Sequence, residues 1–238
     1  MNKVVVITGA SRGIGNNIAT ELAKAGYQII ANYNKSEKEA KELKEKYTNI
    51  EIMKADVSKK EEVQSFIKTV YEKYGRIDVL INNAGISQIK LFTEITKQDW
   101  ENMINVNLSS AFYTSQEVAK IMINQKSGLI INISSIWGQE GASCEVHYSV
   151  AKAGMNGLTK ALAKELGPSN IRVNAIAPGI IQTQMNKELN QEELQEIKNE
   201  IPLERIGNPQ DITKCVKWLI EDEYTTGQII GINGGWYM

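Results

Sequence analysis

Apolar positions along this chain fall into two alternating patterns. Short, nearly continuous runs rich in β-branched residues occur at 4–8 (VVVIT), 28–33 (QIIANY), 50–55 (IEIMKA), 79–82 (VLIN), 129–134 (LIINIS) and 171–177 (IRVNAIA). Between them lie stretches of helical length, among them 13–26, 35–47, 59–74 and 146–167. Continuous apolar runs belong to strands buried on both faces, as in a parallel sheet. Strands alternating with helices predict stacked βαβ units, and right-handed crossovers wind these into a doubly wound sheet. A further run at 228–231 closes the far edge. The predicted class is therefore α/β: one Rossmann-type domain over 1–238, a parallel sheet of about seven strands with helices on both faces. Glycines stand where helices should stop, at Gly75 and Gly167. The charge-rich stretch 186–200 (NKELNQEELQEIKNE) reads as an exposed helix, either a solvated face or a lid over a substrate.

Composition narrows the classes of function. The chain has 238 residues, 42% hydrophobic and 23% charged, with a formal net charge of −1. Nucleic-acid binding would need a clustered basic excess, so no nucleic acid is expected as a partner. The two cysteines, Cys144 and Cys215, lie far apart and outside any Cys/His cluster. Neither a disulfide framework nor a metal site is expected, and a reducing cytoplasm fits best. The start (MNKVVVITGASRG) has too short an apolar run for a signal segment, and no run reaches the ~18 apolar residues of a membrane helix.

The segment Thr8-Gly9-Ala10-Ser11-Arg12-Gly13-Ile14-Gly15 leaves a predicted strand and opens a predicted helix. Gly9 allows the sharp exit, Gly13 lets backbone approach a pyrophosphate, and Gly15 lets the helix pack close to the sheet. The helix N-terminus offers free N–H groups and a positive dipole end to phosphates. Gly9, Ser11, Arg12, Gly13, Ile14 and Gly15 are the candidate cofactor-binding residues of this loop, with Asn32 at the end of the second strand. An NAD site usually places an acid there to hold the ribose 2′-hydroxyl. This chain instead reads Ala31-Asn32-Tyr33-Asn34-Lys35, with Arg12 in the loop. A guanidinium suits a 2′-phosphate, so NADPH/NADP+ is the expected cofactor.

Downstream, the fourth strand ends in Asn82-Asn83-Ala84-Gly85, the fifth in Ser134-Ser135, and the next helix carries Tyr148-Ser149-Val150-Ala151-Lys152. Tyr148 and Lys152 are spaced i, i+4 and share a helix face. A free phenol titrates too high to shuttle protons efficiently at neutral pH, and a nearby ammonium favours the phenolate. Ser135 lies at the carboxyl end of its strand, where doubly wound sheets bind ligands. Its hydroxyl is placed to stabilise charge developing on a carbonyl oxygen. Ser134 is expected to pack or cap. His147, next to Tyr148, is expected to have a surface or packing role. Cys144 is a candidate border of the substrate, and Cys215 a core residue.

Taken together, T-G-x-x-x-G-x-G, N-N-A-G, the serine, Y-x-x-x-K and Pro178-Gly179 resemble the short-chain dehydrogenase/reductase family over essentially the whole chain. The resemblance implies that Tyr148 donates a proton to a carbonyl oxygen. Lys152 would tune that tyrosine and bind the nicotinamide ribose, and Ser135 would orient the substrate. Asn107 would support a proton relay, with Asn105 as the alternative. Asp56 and Val57 would border the adenine, and Asn83, Ala84 and Gly85 would line the cofactor. Pro178, Gly179, Ile181 and Thr183 would close over the nicotinamide. The segment 182–200 would form a flap, with Met185 and Leu189 facing inward. A homotetramer is implied, with 107–124 and 146–167 packing across one dyad and 233–238 across another.

Within the family, the chain is most similar to the bacterial 3-oxoacyl-[acyl-carrier-protein] reductases of fatty acid synthesis. The shared stretches are TGASRGIG, AKAG (151–154), GLTK (157–160), VNAIAPG (173–179) and the ending IPLERIG…TGQ…NGG. This implies a 3-oxoacyl thioester substrate and acyl carrier protein as a partner; reduction of another ketone, sugar or steroid is the alternative. Two departures bear on the choice. The loop after N-N-A-G reads ISQIKLFTEI, and Leu129 and Ser169 stand where those reductases carry arginines that meet the carrier, with Lys126 and Arg172 nearby. Arg12→Ala is expected to weaken NADPH binding by roughly 10- to 100-fold, the worth of a charge-assisted hydrogen bond, and NADH far less. Fluorescence titration with both cofactors checks this; equal losses would remove the 2′-phosphate assignment.

Overall fold

Four consecutive apolar residues make the first strand, β1 (Val4–Ile7), and all four are buried. Their side chains alternate: Val5 and Ile7 enter one core cluster, Val4 and Val6 another on the opposite face. The same logic builds β2 (Gln28–Tyr33), β3 (Ile50–Lys54), β4 (Val79–Asn82), β5 (Gly128–Ile133), β6 (Ile171–Pro178) and β7 (Ile229–Ile232). All neighbours pair in parallel, in the order β3-β2-β1-β4-β5-β6-β7. This computed structural model describes residues 2–184 and 190–237.

Helices cover both faces. On one, α1 (Gly13–Lys24) and α8 (Pro209–Glu221) bury Ile18, Leu22, Ile212, Val216 and Leu219 against the sheet, with Leu43 of α2 (Glu37–Lys46). On the other, α3 (Lys60–Tyr74), α5 (Ser110–Gln125) and α6 (Val146–Leu166) bring Phe66, Ile67, Val70, Val118, Met122 and Leu166. Each such side chain contributes ~1.5–3 kcal/mol of burial. The predicted α/β class and doubly wound sheet are what the structure contains.

Several local expectations shift. Gly75 ends α3 in the left-handed region (φ 69), as predicted. Gly167 caps the end of α6, as predicted, but with φ −52, and the chain tightens into a 3-10 turn over Gly167–Ser169 that contains Pro168. Asn170 carries the positive φ (58), since asparagine tolerates that region. Helix α4 (Lys97–Ile104) went unpredicted, although Thr96 and Asp99 form a capping box at its start. It runs without a break into a π turn, Asn105–Ser109, and then into α5. In the charge-rich stretch, α7 (Gln191–Glu200) begins at an Asn190–Glu193 capping box, and none of its residues is buried. Met185 and Leu189 lie outside the described residues.

A buried polar chain crosses the middle of the sheet. Asn82 donates to Asn132 Oδ1 (2.8 Å) and Ser115 Oγ (3.0 Å) and accepts from Thr114 Oγ1 (2.6 Å). Asn132 donates onward to Thr159 Oγ1 (2.8 Å). These bonds tie β4 and β5 to α5 and α6. Among the described residues, no helix is long and apolar enough to cross a membrane and no group of three metal-binding side chains exists.

Candidate active site

The strand order reverses between β1 and β4, so the loops leaving these strands part and leave a crevice at their carboxyl ends. Thr8 locks the two loop starts together: its Oγ1 accepts from the N–H groups of Asn83 and Ala84, both at 3.0 Å. Asn83 returns two bonds of 3.0 Å to the carbonyls of Thr8 and Gly9. Gly9 has φ 62, and a Cβ there would meet Ala84 Cα at 2.9 Å, so no other residue fits the approach. At Gly15 a Cβ would meet the Gly9 carbonyl oxygen at 2.6 Å. The predicted loop thus lies against N-N-A-G, with the N-terminus of α1 facing the crevice.

Other nominated cofactor contacts divide. Arg12 is exposed and donates to Gln184 Oε1 (3.2 Å). The Ser11 carbonyl accepts from Asn16 (3.1 Å), and the half-buried Ile14 packs on the first core cluster. Thr183 lies beside Gly13, whose added Cβ would meet it at 3.5 Å. Gly179 donates to the Ile232 carbonyl (3.0 Å), continuing the pairing of Pro178, and Ile181 bridges Gly207. Asn32 differs from expectation. It is 2% exposed, accepts from Gly9 N (3.4 Å) and donates to the Ala55 carbonyl (3.0 Å), so its side chain braces the loop. Val57 likewise turns its side chain into the second core cluster. Asp56 binds Ser58 through backbone and hydroxyl, which holds its carboxyl below the ordinary range against the opposing effect of burial.

At the end of β5 the reactive side chains meet. Ser135 caps a 3-10 turn, accepting from Trp137 N (3.2 Å), and its hydroxyl favours the ionised form of the Tyr148 phenol. Lys152 lies with its Nζ 5.7 Å from the Tyr148 ring centre and donates to the Ile133 carbonyl (2.8 Å). Asn107 sits in the π turn, fully buried. Its Oδ1 accepts from Ile86 N (3.0 Å), and its Nδ2 donates to the carbonyls of Ile86 (3.0 Å) and Met103 (3.2 Å). Gly85 separates it from Lys152: a Cβ there would stand 2.7 Å from Asn107 Oδ1 and 3.7 Å from Lys152 Nζ. Asn105, the alternative, is exposed.

In the free site burial pushes the Tyr148 phenol up to about 12, with the Ser135 hydroxyl opposing the rise and the Glu145 charge adding to it. Burial also draws the Lys152 ammonium down to about 8. Both shifts share a cause, loss of water around the charged form. The free site therefore holds a neutral phenol.

Sequence reasoning expected Ser134 to pack or cap but missed Asn156 and Gly138, which help seat this turn. Ser134 donates to Asn156 Oδ1 (2.7 Å), and Asn156 donates to the Gly138 carbonyl (2.9 Å). A Cβ on Gly138 would meet the Lys152 backbone at 2.7 Å. The one available signal was a glycine three positions past Ser135. Cys144 is half-buried with φ 60, and Cys215 is buried, its thiol pushed up to about 11 by burial. A cleft of about 310 Å³ lies between Ile180–Thr183, Leu194 and Lys198 of α7, and Arg205–Ile206; Ser135, Tyr148 and Lys152 do not line it.

A neutral tyrosine and a buried lysine at the switch point of a doubly wound sheet define a Rossmann-type oxidoreductase. Residues 3–194 match the family model described as short chain dehydrogenase, and the chain belongs to that family. It is 42% identical to a protein of Staphylococcus epidermidis named 3-oxoacyl-[acyl-carrier-protein] reductase FabG, over all of both chains. It is 40% identical to the "Uncharacterized oxidoreductase YmfI" of Bacillus subtilis, again over all of both. The solved structure "ElxO with NADP Bound" superposes with a TM-score of 0.93 at 36% identity, covering 99% of each chain.

The Lys152 shift predicts a pH-dependent stability. The folded value, about 8, lies below the unfolded 10.5, so between them the unfolded chain binds more protons. The destabilisation is full below about pH 8 and fades as pH rises toward 10.5. At 1.36 kcal/mol per pH unit it is on the order of 3 kcal/mol. Lys152→Met should therefore gain on the parent in urea unfolding at neutral pH, and the difference should shrink at higher pH. A pH-independent difference would mean that burial does not shift the Lys152 titration.

Proposed function

We propose that the whole chain, 1–238, acts as one NADPH-dependent reductase that turns a carbonyl into a hydroxyl, with a 3-oxoacyl thioester as substrate. The observation that carries this reading is the Ser135–Tyr148–Lys152 cluster, in which the tyrosine keeps its proton. In the reduction direction the phenol is the form required, because it is the proton donor. Arg12 and Lys35 are exposed cations, and the position of the usual ribose-binding acid holds Asn32, turned inward. These residues fit a 2′-phosphate at the loop and give no carboxylate to repel it.

When bound, NADPH supplies the hydride. Ser135 Oγ–H donates to the substrate carbonyl oxygen and orients it. Tyr148 Oη gives its proton to the same oxygen, leaving a phenolate. Lys152 stabilises that phenolate and holds the nicotinamide ribose, and Asn107 supports the return of a proton to Tyr148. Gly9, Ser11, Arg12, Gly13, Ile14 and Gly15 cradle the phosphates. Asn83, Ala84, Gly85, Pro178, Gly179, Ile181 and Thr183 enclose the nicotinamide half, and Asp56 with the Val57 backbone borders the adenine. Of the flap, the described residues 182–184 and α7 would lie over the substrate.

The thioester reading follows the full-length likeness to a protein of that name. It implies acyl carrier protein as partner and a cytoplasmic place of work. A second reading, a ketone carried on no protein, is favoured by one observation. Arg172 is committed inward, to the Leu219 carbonyl at 3.0 Å and Asp222 at 3.9 Å. With Leu129 and Ser169 where those reductases carry arginines, Lys126 is an exposed cation that remains nearby, and docking of an acidic carrier relies on such complementarity. NADPH oxidation with acetoacetyl thioesters of CoA and of carrier protein, beside simple ketones, sugars and steroids, separates the two. Tyr148→Phe should lower turnover by ~10²–10⁴-fold while NADPH binding holds within about threefold. Turnover of ketones but no thioester would reject the substrate, and full activity of the variant would reject the proton donor.

The assembly proposed is a homotetramer. Phe112 (44% exposed) and Ile123 on α5, and Val150 on α6, leave apolar side chains uncovered in the single chain. Light scattering should give four times 26.6 kDa; the mass of a single chain would overturn the assembly.

A further inference from the structure

One buried histidine has no part in the chemistry above. His147 precedes Tyr148 in the first turn of α6 and is 0% exposed. Its Nε2 lies 2.9 Å from Gln88 Oε1, on the loop that follows β4. The Gln88 amide orientation is set on its other side, where Nε2 donates to Asp99 Oδ1 (3.1 Å). The Gln88 oxygen must therefore accept, and His147 Nε2 must carry the hydrogen. His147 Nδ1 is buried and has no hydrogen-bond partner. A second proton on the ring would face no acceptor, so the ring stays neutral and acts as a fixed donor. Burial lowers the His147 titration in agreement, with Lys90 adding to the fall and Asp99 opposing it.

The anchor behind Gln88 is rigid. Asp99 also accepts from Lys90 Nζ (2.7 Å) and from the Thr96 N–H (3.0 Å) and hydroxyl (2.6 Å), at the capping box of α4. The Lys90 N–H reaches the Cys144 carbonyl (2.7 Å), two residues before α6 begins. At the other end of the loop, Ile86 is clamped by Asn107. The loop thus spans from the π turn to the first turn of α6, and His147 is the helix's own side chain in that clamp.

We propose that His147 is a positioning residue for Tyr148. Its bond to Gln88, backed by Asp99, fixes the first turn of α6 and hence where the phenol stands relative to Ser135. This rests on the reading of Tyr148 as proton donor. It assigns a role to the loop at which the chain departs from the reductases it resembles. A misplacement of about 1 Å at a reacting group costs up to about 100-fold in rate.

The test is steady-state turnover of the intact enzyme with NADPH and the best carbonyl substrate of the panel. His147→Leu keeps volume and removes the donor; kcat should fall by ~10-fold or more, with KM for NADPH within about twofold. His147→Gln places an amide N–H near the same position and should recover most of kcat. Gln88→Leu should match His147→Leu, and the double variant should be no slower than either single one, because both remove one interaction. If His147→Leu does not fold, Gln88→Leu, on a half-buried loop position, still carries the comparison. Unchanged kcat in folded His147→Leu or in Gln88→Leu, no recovery in His147→Gln, or losses that multiply would overturn the proposal. A parent enzyme active on no carbonyl would overturn the Tyr148 reading and this one with it.

Discussion

Polar groups beneath the crevice have lost their water and must be satisfied by one another, and the rest of the site depends on that. The amide chain from Asn82 through Asn132 to Thr159 is the central case. Each link joins a different element, so β4, β5 and α6 keep one relative placement. A buried donor or acceptor left alone costs ~1–3 kcal/mol, enough to make slippage of any member unfavourable. Ser135 leaves the end of β5 and Tyr148 rises from α6, so their meeting follows from this internal fastening. Thr8 does the same between the glycine loop and N-N-A-G.

What could be read directly was whatever repeats or breaks a rule locally. The strands were visible because parallel strands are apolar on both faces, and the cofactor loop because only glycine tolerates such approaches as Gly9 to Ala84. Tyr148 and Lys152 were visible as a pair by helical spacing. Hidden features depend on distant partners. Asn132 looks like an intruder in an apolar strand until Asn82 and Thr159 are placed around it. Asn32 looked like a cofactor-binding residue, but three-dimensional placement turns its side chain toward Ala55. The opposite titration shifts of Tyr148 and Lys152 needed burial, which no spacing reports. Helix α4 was legible in principle through Thr96 and Asp99, but its few buried residues weaken the apolar period.

Burial also explains how one small cluster serves two needs. The same exclusion of water that keeps the phenol protonated weakens the lysine's hold on its own proton. A protonated phenol and a readily discharged ammonium then stand close together. The backbone supplies the rest: the Ile133 carbonyl takes the lysine, and the Ile86 amide takes Asn107. Around them, Asn156 fastens Ser134 to the Gly138 carbonyl, and His147 bonds Gln88.

The π turn at Asn105–Ser109 carries a consequence of a different kind. A helix advances about 100° per residue, so one extra residue changes the phase of everything beyond it. Met103, before the turn, faces the small cluster around Tyr148, while Val118 and Met122, after it, face the sheet core. The two stretches of one continuous rod are thus written in different reading frames. Among edits to the gene, removal of a single codon here would be small in length, yet it would bring the frames into register and turn Asn107 away from Ile86. An insertion or deletion here shifts the phase of everything beyond the turn, so this stretch should hold its length through divergence.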